Sequence, residues 1–222
     1  MPLTLAVDCA LRRINLGVSD GPDVLGEISI DAGSRQSELL PSSVENLLSA
    51  TGHSMGDLGL VAVTKGPGYY TGIRVGLSYA CALAWGLGIN VASVSTLRAM
   101  ALSAGVILAS AGFVAPIAPI IPAGRDSFYA AVYGAAPQLG EEAVLEPAFV
   151  SAEDLMASLA ALGPQNPPVL VGNGLPSDIL KKNNCRIISP VPSMCSGVIR
   201  LAATCEPQSP DRVRASYIRD PY

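Results

Sequence analysis

The first thirty residues alternate short apolar runs with turn signals. Three runs are typical of β-strands: LTLAVD (3–8), INLGVS (14–19) and VLGEISI (24–30). The segment LRR separates the first two runs, and DGPD, with the strong breaker Gly21-Pro22, separates the second and third. We therefore predict a three-stranded antiparallel meander.

A helical period follows the meander. In SRQSELLPSSVENLLSATG (34–52) the large apolar residues recur at three- and four-residue steps, which predicts an amphipathic helix. Gly52 is a suitable C-terminal stop, and Pro41 fits only near the first turn, so the regular helix is expected to begin close to Pro41. The nearly continuous apolar run LGLVAVT (58–64) then predicts a strand covered on both faces.

Helix and strand continue to alternate up to residue 105. A glycine-rich turn leads into a second helix over 72–87, a strand over 90–95 and a third helix over 95–105, with Ser95 or Thr96 as its cap. The order βββαβαβα is that of a ribonuclease-H-like α/β domain.

The composition changes around residues 105–125, where GFVAPIAPIIPAG combines three prolines with strand-forming residues. This change predicts a domain 1–105 and a smaller domain 106–222, with a C-terminal segment able to pack back on the first. Within the second domain we predict strands over 127–134 and 168–174 and helices over 151–163 and 191–205. Ser151 is the expected N-cap and Gly163 the expected stop of the first of these helices, and the tail RVRASYIRDPY is strand-compatible.

The composition is apolar and acidic. Half of the residues are hydrophobic, 14% are charged, and the mean hydropathy is +0.41, yet no uninterrupted apolar segment reaches the roughly 20 residues of a membrane span. The surplus apolar surface must therefore be buried in cores or against a partner. The net charge of −4 argues against a stand-alone nucleic-acid-binding protein. The first residues show no basic leader, so we expect a cytoplasmic protein.

Cysteine and histidine usage restricts the possible chemistry. Five scattered cysteines without a CxxC pair are typical of buried thiols in a reducing compartment. The single histidine, His53, rules out a two-histidine metal motif and is a poor candidate for a catalytic triad, so we expect no metal site and no cofactor.

The glycine turn KGPGYYTGIRVG (65–76) does not match a known phosphate loop. A Walker A loop needs Lys and Ser or Thr where Ile73 and Arg74 stand. A dinucleotide loop is one residue shorter, and Pro67 removes a backbone N–H that such a loop uses.

Asp8 is a candidate residue of a vestigial nucleotide site. Actin-like and sugar-kinase-like ATPases carry an Asp in their first hairpin, followed by Gly, Ser or Thr residues that hold phosphate. Here Cys9, Ala10, Leu11 and Arg12 follow Asp8. Asp8 could be a metal ligand or part of a vestigial nucleotide site, or it could cap the hairpin, and we favour the cap.

The second helix carries a ridge of small residues at four-residue steps: Gly72, Gly76, Ala80 and Ala84. Such a ridge lets another backbone approach closely. The other faces are also apolar and include Trp85, which predicts burial all round. The helix is either covered within its own domain or forms part of an intermolecular helix bundle, and we favour the bundle.

The chain resembles the TsaB/YeaZ family of bacteria. The resemblance is dense over residues 3–103 and is carried by LAVDCA, RQSELLPSSVENLL and LGLVAVTKGPGYYTGIRVGLSYACALAWGLGINVASVSTLRAMA, with DSFYAAVY, LVGNG and YIRDP beyond. It implies two ribonuclease-H-like lobes of the actin/sugar-kinase/chaperone-ATPase superfamily. It also implies a non-catalytic partner and activator of TsaD in forming N6-threonylcarbamoyladenosine at position 37 of ANN-decoding tRNAs, together with the ATPase TsaE.

The same resemblance implies which residues form the pairing surface. On the first helix these are Leu39, Leu40, Val44 and Leu47, and on the second they are Arg74, Leu77, Tyr79 and Leu83. The small-residue ridge adds Gly76 and Ala80 to the predicted contact residues. The turn residues Gly66, Pro67, Gly68, Thr71 and Gly72 would set the direction of the second helix, with Thr71 as N-cap.

The sequence departs from the family pattern at two places. Gln36-Ser37-Glu38 stands where the family commonly has His-Ser-Glu, and Pro122-Ala123-Gly124-Arg125 stands where an Asp-Ala-Arg pattern is often seen. Alternatives to the partner role are a glycoprotein endopeptidase-like enzyme or a weak ATPase, and the apolar face could also form a homodimer. Contact with tRNA stays an open question.

Overall fold

The computed structural model describes residues 2–135, 143–163, 167–173, 175, 186–189, 191 and 193–218. Gly174, Cys185 and the end of the YIRDP motif lie outside these residues. The chain divides into two compact units, one formed by Met1–Ala99 with Ser193–Tyr217 and the other by Met100–Pro192 with Ile218–Tyr222.

The first unit contains a five-stranded sheet. Its strands are β1 (Leu3–Asp8), β2 (Arg13–Asp20), β3 (Asp23–Asp31), β4 (Leu60–Thr64) and β5 (Asn90–Val94), in the order β3-β2-β1-β4-β5. The first three strands are antiparallel neighbours, whereas β4 and β5 run parallel to β1. The predicted meander is confirmed, and β4 is buried at every position, as its unbroken apolar run predicted.

Four helices follow the predicted pattern. They are α1 (Gln36–Ala50), α2 (Tyr70–Leu87), α3 (Thr96–Ser110) and α5 (Cys195–Ala202). α1 begins five residues before Pro41, so the expectation that the regular helix begins near this proline was wrong. Pro41 has no backbone N–H, so α1 lacks one helical hydrogen bond at this position. Buried leucines on either side of Pro41 stabilise the helix by packing on the core.

Glycines show that the first sheet is covered on both faces. A Cβ on Gly26 of β3 would lie 2.8 Å from the Thr51 side chain at the end of α1, and one on Gly17 of β2 would lie 2.6 Å from the Cβ of Cys195 on α5. Gly26 is opposite Val18 in the β2–β3 register, so Gly17 points to the other face. α1 and α5 therefore sandwich this sheet.

The second unit repeats the same topology. Its strands are β6 (Ile117–Pro122), β7 (Ser127–Val132), β8 (Leu145–Ser151), β9 (Val169–Val171) and β10 (Ile187–Ile188), in the order β10-β9-β6-β7-β8. Helix α4 (Ala152–Ala161) packs on this sheet through Leu155 and Leu159. Ser151 caps α4 by accepting the Asp154 amide at 3.0 Å, as predicted. The sequence pattern had not predicted β8.

The tail forms no strand in its described part. Gln208 makes a single antiparallel bridge with Val91, and Pro210–Arg212 form a 3-10 turn. The amide of Ser216 donates to the carbonyl of Lys65 at 2.7 Å, which ties the tail to the glycine turn.

Candidate partner-binding surface

The glycine turn is shaped for close backbone packing. Gly66 has φ +111°, and a Cβ there would lie 2.5 Å from the carbonyl oxygen of Ser216. A Cβ on Gly68 would lie 2.6 Å from the carbonyl oxygen of Ala10. The Tyr69 amide donates to the same Ala10 oxygen at 2.9 Å. The turn therefore fastens the start of α2 to the β1–β2 connection.

Thr71 does not cap α2, contrary to the sequence prediction. The N-cap residue is Tyr69, the helix begins at Tyr70, and no side chain makes a capping hydrogen bond. Thr71 lies one residue inside the first turn, where its side chain is exposed. The prediction failed because residue type alone locates a cap only to within one or two positions.

The small-residue ridge of α2 faces the chain's own sheet. Gly72 lies against the carbonyl oxygen of Cys9, with no room for a Cβ, and a Cβ on Gly76 would lie 3.4 Å from that of Cys9. Ala80 and Ala84 are fully buried. Gly76 and Ala80 were predicted to contact a partner. This prediction was wrong, because the ridge packs against the end of β1 within the same chain.

Other predicted contact residues are also buried within the first unit. Leu40, Val44, Leu47 and Leu77 are at most 8% exposed and belong to its core cluster. They hold α1 and α2 on the sheet and present no surface to another molecule. The sequence assignment was wrong for these four because both helices use their most regular apolar stripe for the core.

A narrower apolar surface remains accessible where α1 and α2 lie side by side. It consists of Leu39 from α1 and Val75, Tyr79 and Leu83 from α2, all partly buried against the core. We call these four residues the α1–α2 seam. Burial raises the pKa of the Tyr79 phenol above its usual value, and the negative charge of Glu45 on α1 adds to the rise. The sequence prediction did not include Val75 among the contact residues.

Arg74 and Trp85 lie on the outer side of α2. The guanidinium carbon of Arg74 lies 3.9 Å from the centre of the Tyr70 ring, which itself stacks on Tyr217 at 5.4 Å. The side chain of Trp85 is 80% exposed. The helical pattern predicted its burial, but with the small-residue ridge facing inward, a 100° step per residue places Trp85 outside.

Asp8 caps the β1–β2 hairpin. Its Oδ1 accepts the Ala10 amide at 3.1 Å and the Thr64 hydroxyl at 2.7 Å, and its Oδ2 accepts Asn15 Nδ2 at 2.8 Å. Burial raises the pKa of Asp8 above its usual range, while these hydrogen bonds oppose the rise. Both carboxyl oxygens are therefore occupied by groups of the chain itself.

Gln36 links the start of α1 to the same hairpin. Its Nε2 donates to the carbonyl oxygens of Cys9 at 2.8 Å and Arg13 at 2.9 Å, and the residue is 5% exposed. A side-chain amide nitrogen carries two N–H donors in a fixed geometry. Both donors of Gln36 are used here, one for each carbonyl. Gln36 thus has a structural role at the start of α1.

Two kinds of feature are absent from the described residues. No three His, Cys, Asp or Glu side chains among them lie close enough together to hold a metal ion. None of the helices in that part of the chain is long and apolar enough to cross a membrane.

The two sheets share one topology, 3-2-1-4-5, in which a meander continues into parallel strands. Both units therefore have the strand order of a ribonuclease-H-like fold. The solved structure of YeaZ from Pseudomonas aeruginosa has the same fold, with a TM-score of 0.73, 21% identity, and coverage of 98% of this chain and 100% of that one.

Sequence comparison names the family. A family model described as "TsaD: tRNA N6-adenosine threonylcarbamoyltransferase" matches residues 30–177. The tRNA threonylcarbamoyladenosine biosynthesis protein TsaB of Bacillus subtilis is 30% identical over 129 residues, 58% of this chain and 54% of that protein. TsaB of Escherichia coli is 31% identical over 100 residues, 45% of this chain and 43% of that protein. The chain belongs to this TsaD family and, within it, to the TsaB/YeaZ group. The match spans about half the length of each curated relative.

Proposed function

We propose that this chain is a non-catalytic partner that activates TsaD in forming N6-threonylcarbamoyladenosine at position 37 of ANN-decoding tRNAs. The names of the two TsaB relatives support this process. The family description, which names the transferase, supports a TsaD-like subunit as the partner. A TsaE-like ATPase completes the proposed complex, which we place in the cytoplasm.

The accessible apolar side of α2 carries the proposal. The four side chains of the α1–α2 seam remain partly accessible to solvent after packing on the core. Trp85, near the C-terminal end of α2, adds a further apolar side chain that is 80% exposed. Exposed Trp and Tyr residues that become buried on association are typical of binding hot spots. A helical surface of the partner laid along α1 and α2 would cover the seam, and a neighbouring part of the partner on the outer side of α2 would cover Trp85.

The hairpin around Asp8 supports a structural role for this carboxylate. Asp8 is fully buried, and its oxygens accept hydrogen bonds from Ala10, Asn15 and Thr64. Because Asp8 has no accessible surface, the hairpin would have to open before this carboxylate could contact a nucleotide or its metal ion. This observation favours the partner role over an ATPase.

Co-expression with the cognate TsaD and TsaE tests the proposal. We expect the tagged chain to co-purify with TsaD, and we expect tRNA modification, measured by mass spectrometry of nucleosides, to require the chain. Leu83→Glu should abolish both, because it places a charge in the α1–α2 seam. Leu25→Glu is the matched control, since Leu25 is an exposed leucine of β3 and belongs to neither helix.

Other results would point to the alternatives. Full modification without the chain, or equal loss with both variants, would contradict the proposal. ATP or peptide hydrolysis by the purified chain alone would favour an enzyme. A dimer of the chain that Leu83→Glu dissociates, without any capture of TsaD, would assign the seam to a second copy.

A further inference from the structure

Two arginine–tyrosine stacks lie where the glycine turn leads into α2. The guanidinium carbon of Arg12 lies 4.4 Å from the centre of the Tyr69 ring, and that of Arg74 lies 3.9 Å from the centre of the Tyr70 ring. The Tyr70 ring also packs on that of Tyr217, with 5.4 Å between the ring centres. Because Tyr69 and Tyr70 are adjacent in sequence, these five residues form one continuous group, which we call the Arg–Tyr cluster.

The Arg–Tyr cluster is accessible to solvent. Arg12 and Arg74 are exposed, Tyr217 is 38% exposed, and Tyr69 and Tyr70 are partly buried. All five residues belong to the first unit. A guanidinium that stacks on a ring is fixed in position, and its planar edge presents N–H donors with the geometry that phosphate accepts.

The C-terminal tail holds Tyr217 beside the turn. The amide of Ser216 donates to the carbonyl oxygen of Lys65 at 2.7 Å. Val213 is buried and belongs to the core of the first unit. An aromatic ring that is already held in place loses little conformational entropy when a ligand stacks on it.

The segments that form the cluster carry only positive charge. Residues 9–19, 58–125 and 212–218 contain no Asp or Glu. The chain as a whole has a net charge of −4, so the cluster differs in sign from the average of the molecule. A surface of this kind attracts an anionic partner.

Three described acidic residues lie within six positions of the cluster or in the first turn of α1, and each is buried or balanced. Asp8 is fully buried. Glu38 pairs with Arg35 at 2.7 Å, and Asp211 interacts with Arg212. The positive charge of the cluster is therefore not cancelled by these carboxylates.

We propose that the Arg–Tyr cluster binds an unpaired stretch of the tRNA that the complex modifies, an inference that rests on the proposed function. The two guanidinium groups contact phosphate oxygens, and the exposed ring of Tyr217 stacks on a base. Aromatic rings beside fixed cations are typical of surfaces that bind single-stranded nucleic acid. The acidic net charge argues against tight binding by this chain alone, so the cluster adds to the affinity of the complex.

An acidic protein segment is the other class of partner for such a surface. Tyr and Arg are also frequent in protein–protein hot spots, but there they lie in desolvated, well-packed pockets. Here the exposed neighbours Thr71 and Ser216 carry hydroxyl groups, which are common phosphate ligands. Trp85, assigned above to contact with TsaD, lies eleven residues beyond Arg74, about 16 Å along the helix axis. These features favour RNA.

Spectra of the full chain alone test the contact without TsaD. When an unmodified ANN-decoding tRNA transcript is added at low ionic strength, the ¹⁵N–¹H resonances of Tyr69, Tyr70 and Tyr217 should shift. An RNA duplex has the phosphates but no unpaired bases, so it should shift the Tyr217 resonance far less. Unmoved resonances with tRNA, or equal shifts with the duplex, would overturn the proposal.

The phosphate contact is tested by tRNA affinity of the complex with TsaD. Arg12→Asn removes one charge and keeps a residue that tolerates the φ of +62° at this position. It should weaken binding about fourfold at 0.15 M salt and lower the slope of log K against log salt by about 0.7, as expected for one phosphate contact on a single strand. Arg200→Gln, with the same charge change at an exposed position of α5, should leave both unchanged. Equal effects of the two variants would indicate general charge attraction and reject the site.

The base contact is tested at Tyr217. Tyr217→Ala should weaken tRNA binding at least about fivefold with an unchanged salt slope, because a stacked base is lost but no charge. Tyr217→Phe keeps the ring and should bind like the wild type. Loss of tRNA affinity in a variant that still co-purifies with TsaD separates this inference from the proposed function.

Normal tRNA affinity of both Arg12→Asn and Tyr217→Ala would overturn the inference and leave the proposed function intact. If these variants instead reduce capture of TsaD or TsaE, the cluster belongs to a protein partner.

Discussion

Gly72 lies against the carbonyl oxygen of Cys9, so closely that no Cβ would fit between them. This contact places the first turn of α2 on the end of β1. It also turns the whole small-residue ridge toward the sheet. The outward position of Trp85 and the accessibility of the α1–α2 seam follow from the same rotation of the helix.

Gly72→Ala should destabilise the chain by about 1–3 kcal/mol, because the added methyl must displace backbone. Gly86→Ala is the matched control on the same helix, where a Cβ meets nothing within 4 Å. This control should stabilise the chain by about 0.5–1 kcal/mol. Urea unfolding of both variants measures the difference. Equal effects would show that the Gly72–Cys9 contact does not constrain α2.

Trp85 gives a spectroscopic test, because it is the single tryptophan of the chain. An indole that is 80% exposed should emit at long wavelength in the native chain, close to its emission in denaturant. Addition of TsaD should shift the emission to shorter wavelength as the ring is buried. Unchanged emission in a demonstrated complex would place Trp85 outside the interface.

Trp85→Ala should separate binding from stability. The free energy of unfolding should change by less than about 0.5 kcal/mol, because the side chain is exposed. The affinity for TsaD should fall by about 2 kcal/mol or more if Trp85 is a hot spot. Val114→Ala, at an apolar position that is 72% exposed in the second unit, serves as the control and should bind normally.

Asp8 predicts a pH dependence of stability. Burial raises its pKa in the folded chain, so the folded state binds this proton more tightly than the unfolded state. The contribution of Asp8 to stability is therefore greatest below its unfolded pKa of about 3.9 and declines as the pH rises through the folded pKa. Asp8→Asn removes this titration.

The difference in unfolding free energy between wild type and Asp8→Asn should accordingly become less favourable to wild type as the pH rises from 4. Taking the difference cancels the other carboxylates, such as Glu38 and Asp57, whose hydrogen bonds lower their pKa values. A difference that stays constant with pH would show that Asp8 titrates as it does in the unfolded chain.

The cysteines should differ in reactivity toward iodoacetamide. Cys9 and Cys195 are 1% exposed, and burial raises the pKa of both thiols, so the reactive thiolate is scarce. Cys81 and Cys205 are partly exposed and should be labelled first. Peptide mapping of the labelled native chain measures this order. Early labelling of Cys9 would indicate that the hairpin opens in solution.

Local patterns predicted most of the fold because they depend on near neighbours. The bounds of β1 agree with the run LTLAVD, and Ser151 caps α4 as its residue type suggests. β8 was missed because LEPAFVS contains a proline and lacks a clear alternation, so its pairing with β7 decides its conformation. β10 has only two residues, too few for any period.

The sequence by itself determined which segments become helices and strands, and it determined that α2 carries one face small enough for close backbone contact. It did not determine what packs against that face, since a ridge of glycine and alanine allows close packing of either the end of a strand or a partner helix. Only the tertiary structure decided this, by placing Cys9 against Gly72. That contact joins residues more than sixty positions apart, and the spacing of apolar residues within one helix cannot predict such a contact.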